Sequence, residues 1–239
     1  SSWDGGKGPK PIGNKNVKFT GTYNGKGHAI SNIKITRTSW QADNHVGFFG
    51  YIGNARIDSL GLINTTVYGY KDFGAFASIN EGTISHCYTK GGTVECDWGK
   101  LMGGFVGINY STGIIENCYS NINIYASAGA NTESECLGGL VGCNNGLISK
   151  CYATGRIYGN EDIGGLAGFN SGTIINCYAT GDANGYYANN YGGIAGRNSG
   201  TIKYCYSTGD VGYYTYDIGG IVGTTGGSVR HCFYELLED

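Results

Sequence analysis

Residues 164–181, GGLAGFNSGTIINCYATG, are one copy of a unit that recurs through most of this chain of 239 residues. The other copies begin at Gly74, Gly103, Gly138, Gly192 and Gly219. Each copy carries one cysteine, and successive cysteines lie 26 to 33 residues apart. A unit of this length cannot bury a core alone, so neighbouring copies must stack. The period therefore predicts a solenoid.

The residues around each cysteine alternate as they do in a β-strand. In Cys177-Tyr178-Ala179 an aromatic residue follows the cysteine and a small residue follows next. Two upstream copies lack the cysteine, and our alignment places Leu60 and Ile33 at its position. Apolar replacements indicate that this column faces the core, so alternation places the aromatic column outward. The cysteine column contains Cys87, Cys118, Cys151, Cys177, Cys205 and Cys232, and the aromatic column contains Tyr88, Tyr119, Tyr152, Tyr178, Tyr206 and Phe233.

Glycine and asparagine also recur at fixed positions of the unit. The 45 glycines keep their phase from copy to copy, which indicates tight turns and close coil contacts. Asparagines that begin an Asn-x-Gly turn or its longer variant are Asn80, Asn109, Asn144, Asn170 and Asn198. The last copy lacks this asparagine, and we align Thr224 with it. Stacked asparagines form hydrogen-bonded ladders in cross-β structures, so we expect such a ladder here.

These patterns predict an all-β fold, namely a parallel β-helix or β-solenoid of about eight coils. Apolar residues do not recur at a 3.6-residue period over any helix-length stretch, which disfavours helical repeats. Parallel crossovers are right-handed in nearly all proteins, so we expect a right-handed coil. We expect residues 1–18 to form an N-terminal cap, residues 19–234 the solenoid and residues 235–239 a C-terminal tail.

Composition argues against two classes of partner. The net charge is −2 with 14% charged residues, which gives no basic surface for nucleic acid. The chain contains no run of about 18 apolar residues, so we expect no membrane insertion. It lacks an initiating methionine and a signal peptide, and we therefore expect a mature or trimmed segment of a longer soluble protein.

The unit G-G-[LIF]-[VA]-G-x-N-x-G-x-I-x-x-C-Y-x-T-G resembles the GLUG repeat. Residues 19–35, FTGTYNGKGHAISNIKI, resemble the opening coil that precedes GLUG arrays. The resemblance spans residues 19–234 and implies an extracellular or cell-surface protein of bacterial or archaeal origin. Proteins of this kind include adhesin-like proteins, IgA-specific metallopeptidases and polysaccharide-active enzymes. The repeats carry no agreed catalytic residues, so the resemblance implies fold and location without a mechanism.

The nine cysteines fall into two groups. Stacked, parallel side chains in the inward column fit buried thiols better than bridges. Cys96 and Cys136 instead lie in inserted loops at one edge of adjacent coils, where either a disulfide or two separate thiols would fit. No Cys-x-x-Cys occurs, so we expect no zinc site.

Catalytic motifs are absent from the sequence. It contains no H-E-x-x-H and no G-x-S-x-G, and a motif repeated in every coil is structural. Asp162 and Asp217 would lie two coils apart and Asp182 and Asp210 one coil apart, spacings that resemble those of glycosidases or of a calcium site. Solvated turn residues explain the same aspartates. We therefore expect no catalytic residues, no metal and no cofactor, with calcium as the alternative.

Tyrosines cluster in two late loops, NGYYANNY at 184–191 and GYYTYD at 212–217. Sugar rings stack on aromatic faces and bond to nearby amides and carboxylates. Cross-coil stacking of the same rings is the alternative. The candidate ligand-binding residues are Tyr186, Tyr187, Tyr191, Tyr213, Tyr214, Tyr216, Asp182 and Asp217.

Taken together, the sequence predicts a non-catalytic repeat module of a secreted or cell-surface protein. It would act in adhesion, binding a glycan or a surface protein through an aromatic-rich face of the solenoid. One alternative is a structural subunit that self-associates into an extracellular rod or filament by end-to-end stacking of coils. Another is a polysaccharide-active enzyme domain, which requires the carboxylates to converge in a groove.

Overall fold

The computed structural model is an all-β solenoid of parallel strands. It describes residues 3–37, 45–97, 100–126, 136–185, 189–212 and 216–235. Within these ranges the single helical element is a 3₁₀ turn at Trp3–Gly6. All strand pairs join one coil to the next, and the strands form four sheets, here called sheets I to IV.

A coil runs through sheet III, sheet IV, sheet I and sheet II in that order. Sheet III contains His45–Val46, Asp72–Gly74, Leu101–Gly103, Cys136–Gly138, Glu161–Gly164, Asn189–Gly192 and Tyr216–Gly219. Sheet IV contains Phe49–Ile52, Ala77–Asn80, Val106–Asn109, Val141–Asn144, Ala167–Asn170, Ala195–Asn198 and Val222–Thr225. The glycine pair of each unit lies at the bend between these two sheets.

Sheets I and II complete the coil. Sheet I contains Thr22–Asn24, Arg56–Asp58, Thr83–Ser85, Ile114–Glu116, Leu147–Ser149, Thr173–Ile175, Thr201–Lys203 and Ser228–Arg230. Sheet II contains Ala29–Ser31, Lys34–Thr36, Gly61–Tyr68, Tyr88–Cys96, Tyr119–Ala126, Tyr152–Ala153, Ile157–Tyr158, Tyr178–Ala179, Ala183–Asn184, Tyr206–Ser207 and Phe233–Tyr234. Strands stack eight deep in these two sheets and seven deep in the other two, which roughly agrees with about eight coils.

Columns of like side chains, with one side chain from each coil, fill the interior. In the cysteine column the side chains of Cys87, Cys118, Cys151, Cys177 and Cys205 are 1 to 2% exposed, and Leu60 occupies the same column at 1%. A second inward column of isoleucines is fully buried: Ile57, Ile84, Ile115, Ile148, Ile174 and Ile202. Each such side chain contributes about 1.5 to 3 kcal/mol by leaving water. The stabilisation is therefore distributed evenly along the stack.

The alignment of Ile33 with the cysteine column is wrong. Ala29 pairs with Gly61, and Lys34 pairs with Thr66, so the first two coils are offset by 32 residues rather than 27. His28 therefore occupies the position of Leu60. The error has a physical cause, because Ile33 and Leu60 are both apolar and buried but belong to different inward columns.

The predicted asparagine ladder is present in the interior. Each side-chain Nδ2 donates to the Oδ1 of the next asparagine at 2.7 to 2.8 Å, from Asn80 to Asn198. The ladder ends at Thr225, whose Oγ1 accepts from Asn198 at 3.2 Å. The alignment of Thr224 with the missing asparagine is therefore off by one, because Asn198 pairs with Thr225.

The segment before the first coil lies on the edge of sheet IV. The amide of Ile12 donates to the Phe48 carbonyl at 2.9 Å, and Phe19 bonds in the same way to Tyr51. The Phe19 ring also lies 5.5 Å from the ring of buried Phe49. These contacts satisfy backbone groups that an open sheet edge would expose.

Candidate functional site

The cysteines form no cross-links within the described residues. All nine, including Cys96 and Cys136, are thiols. Of the two alternatives predicted for Cys96 and Cys136, the structure has two separate thiols and not the bridge. Cys96 pairs with Ala126 in sheet II, and Cys136 pairs with Leu101 in sheet III. The Cys96 Sγ lies 3.2 Å from the Met102 Sδ. Burial raises the pKa of the Cys136 thiol, so it is a poor nucleophile.

The first predicted carboxylate pair does not form a site. Asp162 is 1% exposed, and its carboxylate accepts from Arg197 and Asn190, each at 2.7 Å. Burial raises the pKa of Asp162, against the opposing effect of Arg197. Asp217 lies two strands away in the same column and is exposed. Only one of these two carboxylates can therefore reach a substrate.

The second predicted pair lies on the outside of sheet II. The Asp182 carboxylate pairs with the Arg156 guanidinium at 3.2 Å and accepts from the Asp210 amide at 3.3 Å. This arrangement is an ion pair at a turn rather than a pair of acids across a groove. In the ranges that the structure describes, no group of three or more His, Cys, Asp or Glu side chains could hold a metal ion.

The predicted tyrosine cluster is described only in part. Tyr186, Tyr187, Tyr213 and Tyr214 lie outside the described residues, and Tyr216 begins a strand of sheet III. The prediction that Tyr191 binds a ligand is wrong. Its side chain is 0% exposed, and its hydroxyl donates to the Gly159 carbonyl at 3.1 Å. It shares an inward column with Ile163 and Ile218, so it cannot contact a ligand.

The aromatic column faces outward on sheet II, as predicted. From Tyr88 to Tyr206, neighbouring rings stack with centroids 4.7 to 5.0 Å apart and planes within 2 to 7° of parallel. Each inner ring therefore has its faces covered by other tyrosines. Sugars stack on aromatic faces, so this row serves cross-coil packing and offers mainly its edges and hydroxyls to a ligand.

Beside the tyrosine row, sheet II presents a flat polar surface. Asn121 Nδ2 donates to Thr154 Oγ1 at 2.7 Å, and Asn123 Oδ1 accepts from the Arg156 amide at 3.0 Å. We call the tyrosine row and the polar residues beside it the outward face of sheet II. The polar residues, which also include Asp182, form its floor. The floor offers hydroxyl, amide and charged groups on rigid strands.

A groove bounds the outward face on the side away from the tyrosine row. It has a volume of about 330 Å³ and is lined by Tyr68, Glu95, Cys96, Asp97, Tyr125, Ala126 and Tyr158. Tyr68, Glu95, Tyr125 and Tyr158 pair in register on four neighbouring strands. The Tyr68 hydroxyl donates to Asp97, and this bond raises the pKa of Tyr68 to about 12. None of the residues that line this groove is among the predicted ligand-binding residues.

The model of the GLUG motif matches residues 99–125, 133–158, 159–184 and 187–212. These four segments are GLUG repeats. Halomucin from Haloquadratum walsbyi is 39% identical to the chain over 109 residues, which are 45% of the chain and 1% of halomucin.

A solved structure shares the solenoid fold over most of the chain. The structure is that of a candidate immunoglobulin A1 protease from Bacteroides ovatus, with a TM-score of 0.58 and 22% identity. The match covers 86% of this chain and 68% of that one. At this identity the likeness concerns the architecture alone.

The GLUG motif specifies the coil rather than the groove. Its asparagine and cysteine are both buried, and its glycines lie in the strands of sheets III and IV and in the bends that follow them. The first two matched repeats end at Tyr125 and Tyr158, whereas the next two end at Asn184 and Gly212. In the first two of these repeats the last residue lines the groove, and the residue at this position varies between repeats. The sequence signal that could have indicated the groove is therefore the variable residue at the end of each repeat, not the repeated motif.

The described residues include no helix that is both long enough and apolar enough to cross a membrane.

Proposed function

We propose that this chain is a repeat module of a secreted or cell-surface protein that binds a glycan or a surface protein without chemical turnover. The GLUG repeats and the similarity to halomucin support a surface-protein module. The outward face of sheet II supports the binding role, because polar and aromatic groups there are held on a rigid stack of strands. Recognition sites commonly combine such groups on a rigid scaffold.

The aspartates support the absence of catalysis. Glycoside hydrolysis needs two carboxyl groups on either side of the bond that is cleaved. Asp162 is buried against Arg197, and Asp182 is paired with Arg156. Neither arrangement leaves an acid and a base facing one substrate.

Affinity electrophoresis through gels that contain different polysaccharides tests the proposal. Thr154→Arg places a long side chain on the floor of the outward face. Thr173→Arg is the matched control, since Thr173 is an equally half-buried outward residue on sheet I. We expect retardation of the unmodified chain and of the control, and its loss in Thr154→Arg. Equal retardation of both variants would place binding elsewhere on the solenoid.

Self-assembly into a rod is the second candidate. In the last described coil, Phe233 is 73% exposed and Ile218 is 44% exposed, which is unusual for large apolar side chains. Analytical ultracentrifugation distinguishes the two candidates. A monomer at all concentrations supports the binding module, and a concentration-dependent series of higher species supports the rod.

A further inference from the structure

The groove beside the outward face of sheet II has a shape and charge that the regular repeat does not explain. We propose that it is a subsite for one pyranose ring that carries neither a carboxylate nor a sulfate. Tyr68 and Tyr125 would flank the sugar, and Glu95 would accept its hydroxyls. This inference rests on the proposed function and names the sugar class that the module selects.

The width of the groove follows from the replacement of one tyrosine by glutamate. In the tyrosine row each of the five coils from Tyr88 to Tyr206 supplies an aromatic ring, and the spacing of 4.7 to 5.0 Å leaves no room between rings. In the groove, Glu95 stands between Tyr68 and Tyr125. These two tyrosines are therefore two strands apart, or about 9.6 Å. Two aromatic contacts at about 3.5 to 4 Å each need about 7 to 8 Å, so one sugar ring that lies over the Glu95 side chain, on the solvent side of the gap, can contact both tyrosines.

The volume agrees with a small ligand. At about 330 Å³ the groove lies at the lower end of the range of about 300 to 1,000 Å³ for ligand pockets. Tyr125 is 42% exposed at the mouth, whereas Cys96 and Ala126 are buried at the base. An apolar base with an accessible aromatic wall suits the C–H face of a sugar.

Polar groups in the groove are acceptors that sugar hydroxyls can use. Glu95 is half-buried between the tyrosines, and Asp97 is exposed and already accepts from the Tyr68 hydroxyl. An ionised carboxylate has about four acceptor positions, so Asp97 retains capacity for a second donor. Hydrogen bonds from hydroxyls to carboxylates are among the stronger ones in proteins.

Charge decides which sugars are admitted. Of the seven described residues that line the groove, two are acidic and none is basic. A uronate or a sulfated sugar would place a like charge beside Glu95 and Asp97, which is unfavourable. A quaternary ammonium group could also use tyrosines and carboxylates, and we include it as a competing probe. The two-strand span between Tyr68 and Tyr125, about 9.6 Å, suits a ring that reaches both tyrosines better than a compact cation.

The experiment measures binding of defined probes to the full chain by saturation-transfer NMR and titration calorimetry. The probes are cello-, xylo- and chito-oligosaccharides, an oligogalacturonide, and tetramethylammonium. The variants are Glu95→Gln and Tyr125→Ala, with Tyr110→Ala as the control, because Tyr110 is a similarly exposed tyrosine in a turn away from sheet II. Circular dichroism and thermal unfolding establish that each variant is folded.

We expect at least one neutral oligosaccharide to bind, and the oligogalacturonide to bind at least about tenfold more weakly. Tyr125→Ala should abolish binding, and Tyr110→Ala should leave it unchanged. Glu95→Gln keeps the shape and removes one charge, so it should weaken neutral binding by about tenfold and strengthen oligogalacturonide binding. These opposite signs would not follow from a merely structural role of Glu95.

Three outcomes overturn the inference, and they separate it from the proposed function. Glycan binding that survives Tyr125→Ala would leave the module function intact and exclude this groove as the site. Binding of tetramethylammonium without any neutral sugar would assign the groove to cations. Absence of binding by every oligosaccharide, together with no retardation in polysaccharide gels, would reject both proposals for glycans.

Discussion

Asn144 is the residue at which the asparagine ladder can be broken most informatively. Its side chain accepts from Asn109 Nδ2 at 2.8 Å and donates to Asn170 Oδ1 at 2.8 Å. It also donates to the Gly146 carbonyl at 3.2 Å and accepts from the Gly146 amide at 3.3 Å. Because Asn144 is fully buried, Asn144→Ala removes these four hydrogen bonds from a site where water has little access, and it also removes a longer one to the Thr173 carbonyl at 3.5 Å.

The expected loss of stability follows from the four shorter hydrogen bonds. A net contribution of about 1 kcal/mol for each bond gives about 4 kcal/mol of lost stability, and more where a buried partner stays unsatisfied. Asn145→Ala is the control, because Asn145 is half-buried and its Oδ1 accepts from the surface Ser171 hydroxyl. We expect that control to lose about 1 kcal/mol or less.

Urea unfolding followed by circular dichroism measures both variants under the same conditions. The midpoint of Asn144→Ala should fall well below that of Asn145→Ala. A double variant, Asn109→Ala with Asn144→Ala, should cost less than the sum of the two single changes, since the two side chains share one bond. If the free energies of unfolding of Asn144→Ala and of its control Asn145→Ala differed by less than about 1 kcal/mol, the ladder would not stabilise the coils.

Three further predictions concern the stacking of coils, acid stability and thiol chemistry. Gly165→Ala should destabilise by about 1 to 3 kcal/mol, because the new Cβ would lie 2.2 Å from a carbonyl oxygen of the next coil. Gly226→Ala, which meets nothing within 4 Å, should be nearly neutral in the same thermal melts, and equal effects would contradict this packing argument. Hydrogen bonds from His86 and neighbouring serines lower the pKa of Asp58 to about 2, so its contribution is present above the unfolded pKa of about 3.9 and is lost as the pH falls towards 2. The difference in melting temperature between the unmodified chain and Asp58→Asn should therefore shrink between pH 4 and pH 2, and a constant difference would exclude this linkage. Mass mapping after brief alkylation of the folded chain should find Cys232, the half-exposed end of the column, labelled before the buried thiols; uniform labelling would indicate that the coils open.

Much of the fold follows from the sequence because the same residues recur in each inward column. The burial of Cys151 and the outward stacking of Tyr152 both follow from alternation within one repeated strand. The offset of the first coil does not, because Ile33 and Leu60 are equally apolar and the chain offers no cysteine there to fix the alignment. A stack of parallel strands admits several offsets of similar hydrophobic pattern, and pairing of the whole strand decides among them.

The candidate site was less accessible to sequence reasoning. Tyr191 appeared to belong to a ligand-binding cluster because it lies in a tyrosine-rich loop segment. The residue at its position in other coils is apolar, as at Ile163 and Leu137, so the column itself indicated burial. The sequence places Cys96 and Cys136 at inserted loops of adjacent coils, and only the fold shows that both are buried and that they belong to different sheets.

The repeats alone were enough to predict a stacked all-β solenoid, a column of thiols that is buried from Cys87 to Cys205, and a ladder of asparagines. These features need only contacts between identical positions of adjacent repeats. The groove was decided by the tertiary structure, because Tyr68, Glu95, Tyr125 and Tyr158 lie 27 to 33 residues apart and occupy the variable end of each repeat. Their alignment depends on an irregular register between Lys90 and Thr93, which shifts the end of that strand by one residue. No repeated motif records such a shift, so only the folded register brings these side chains together.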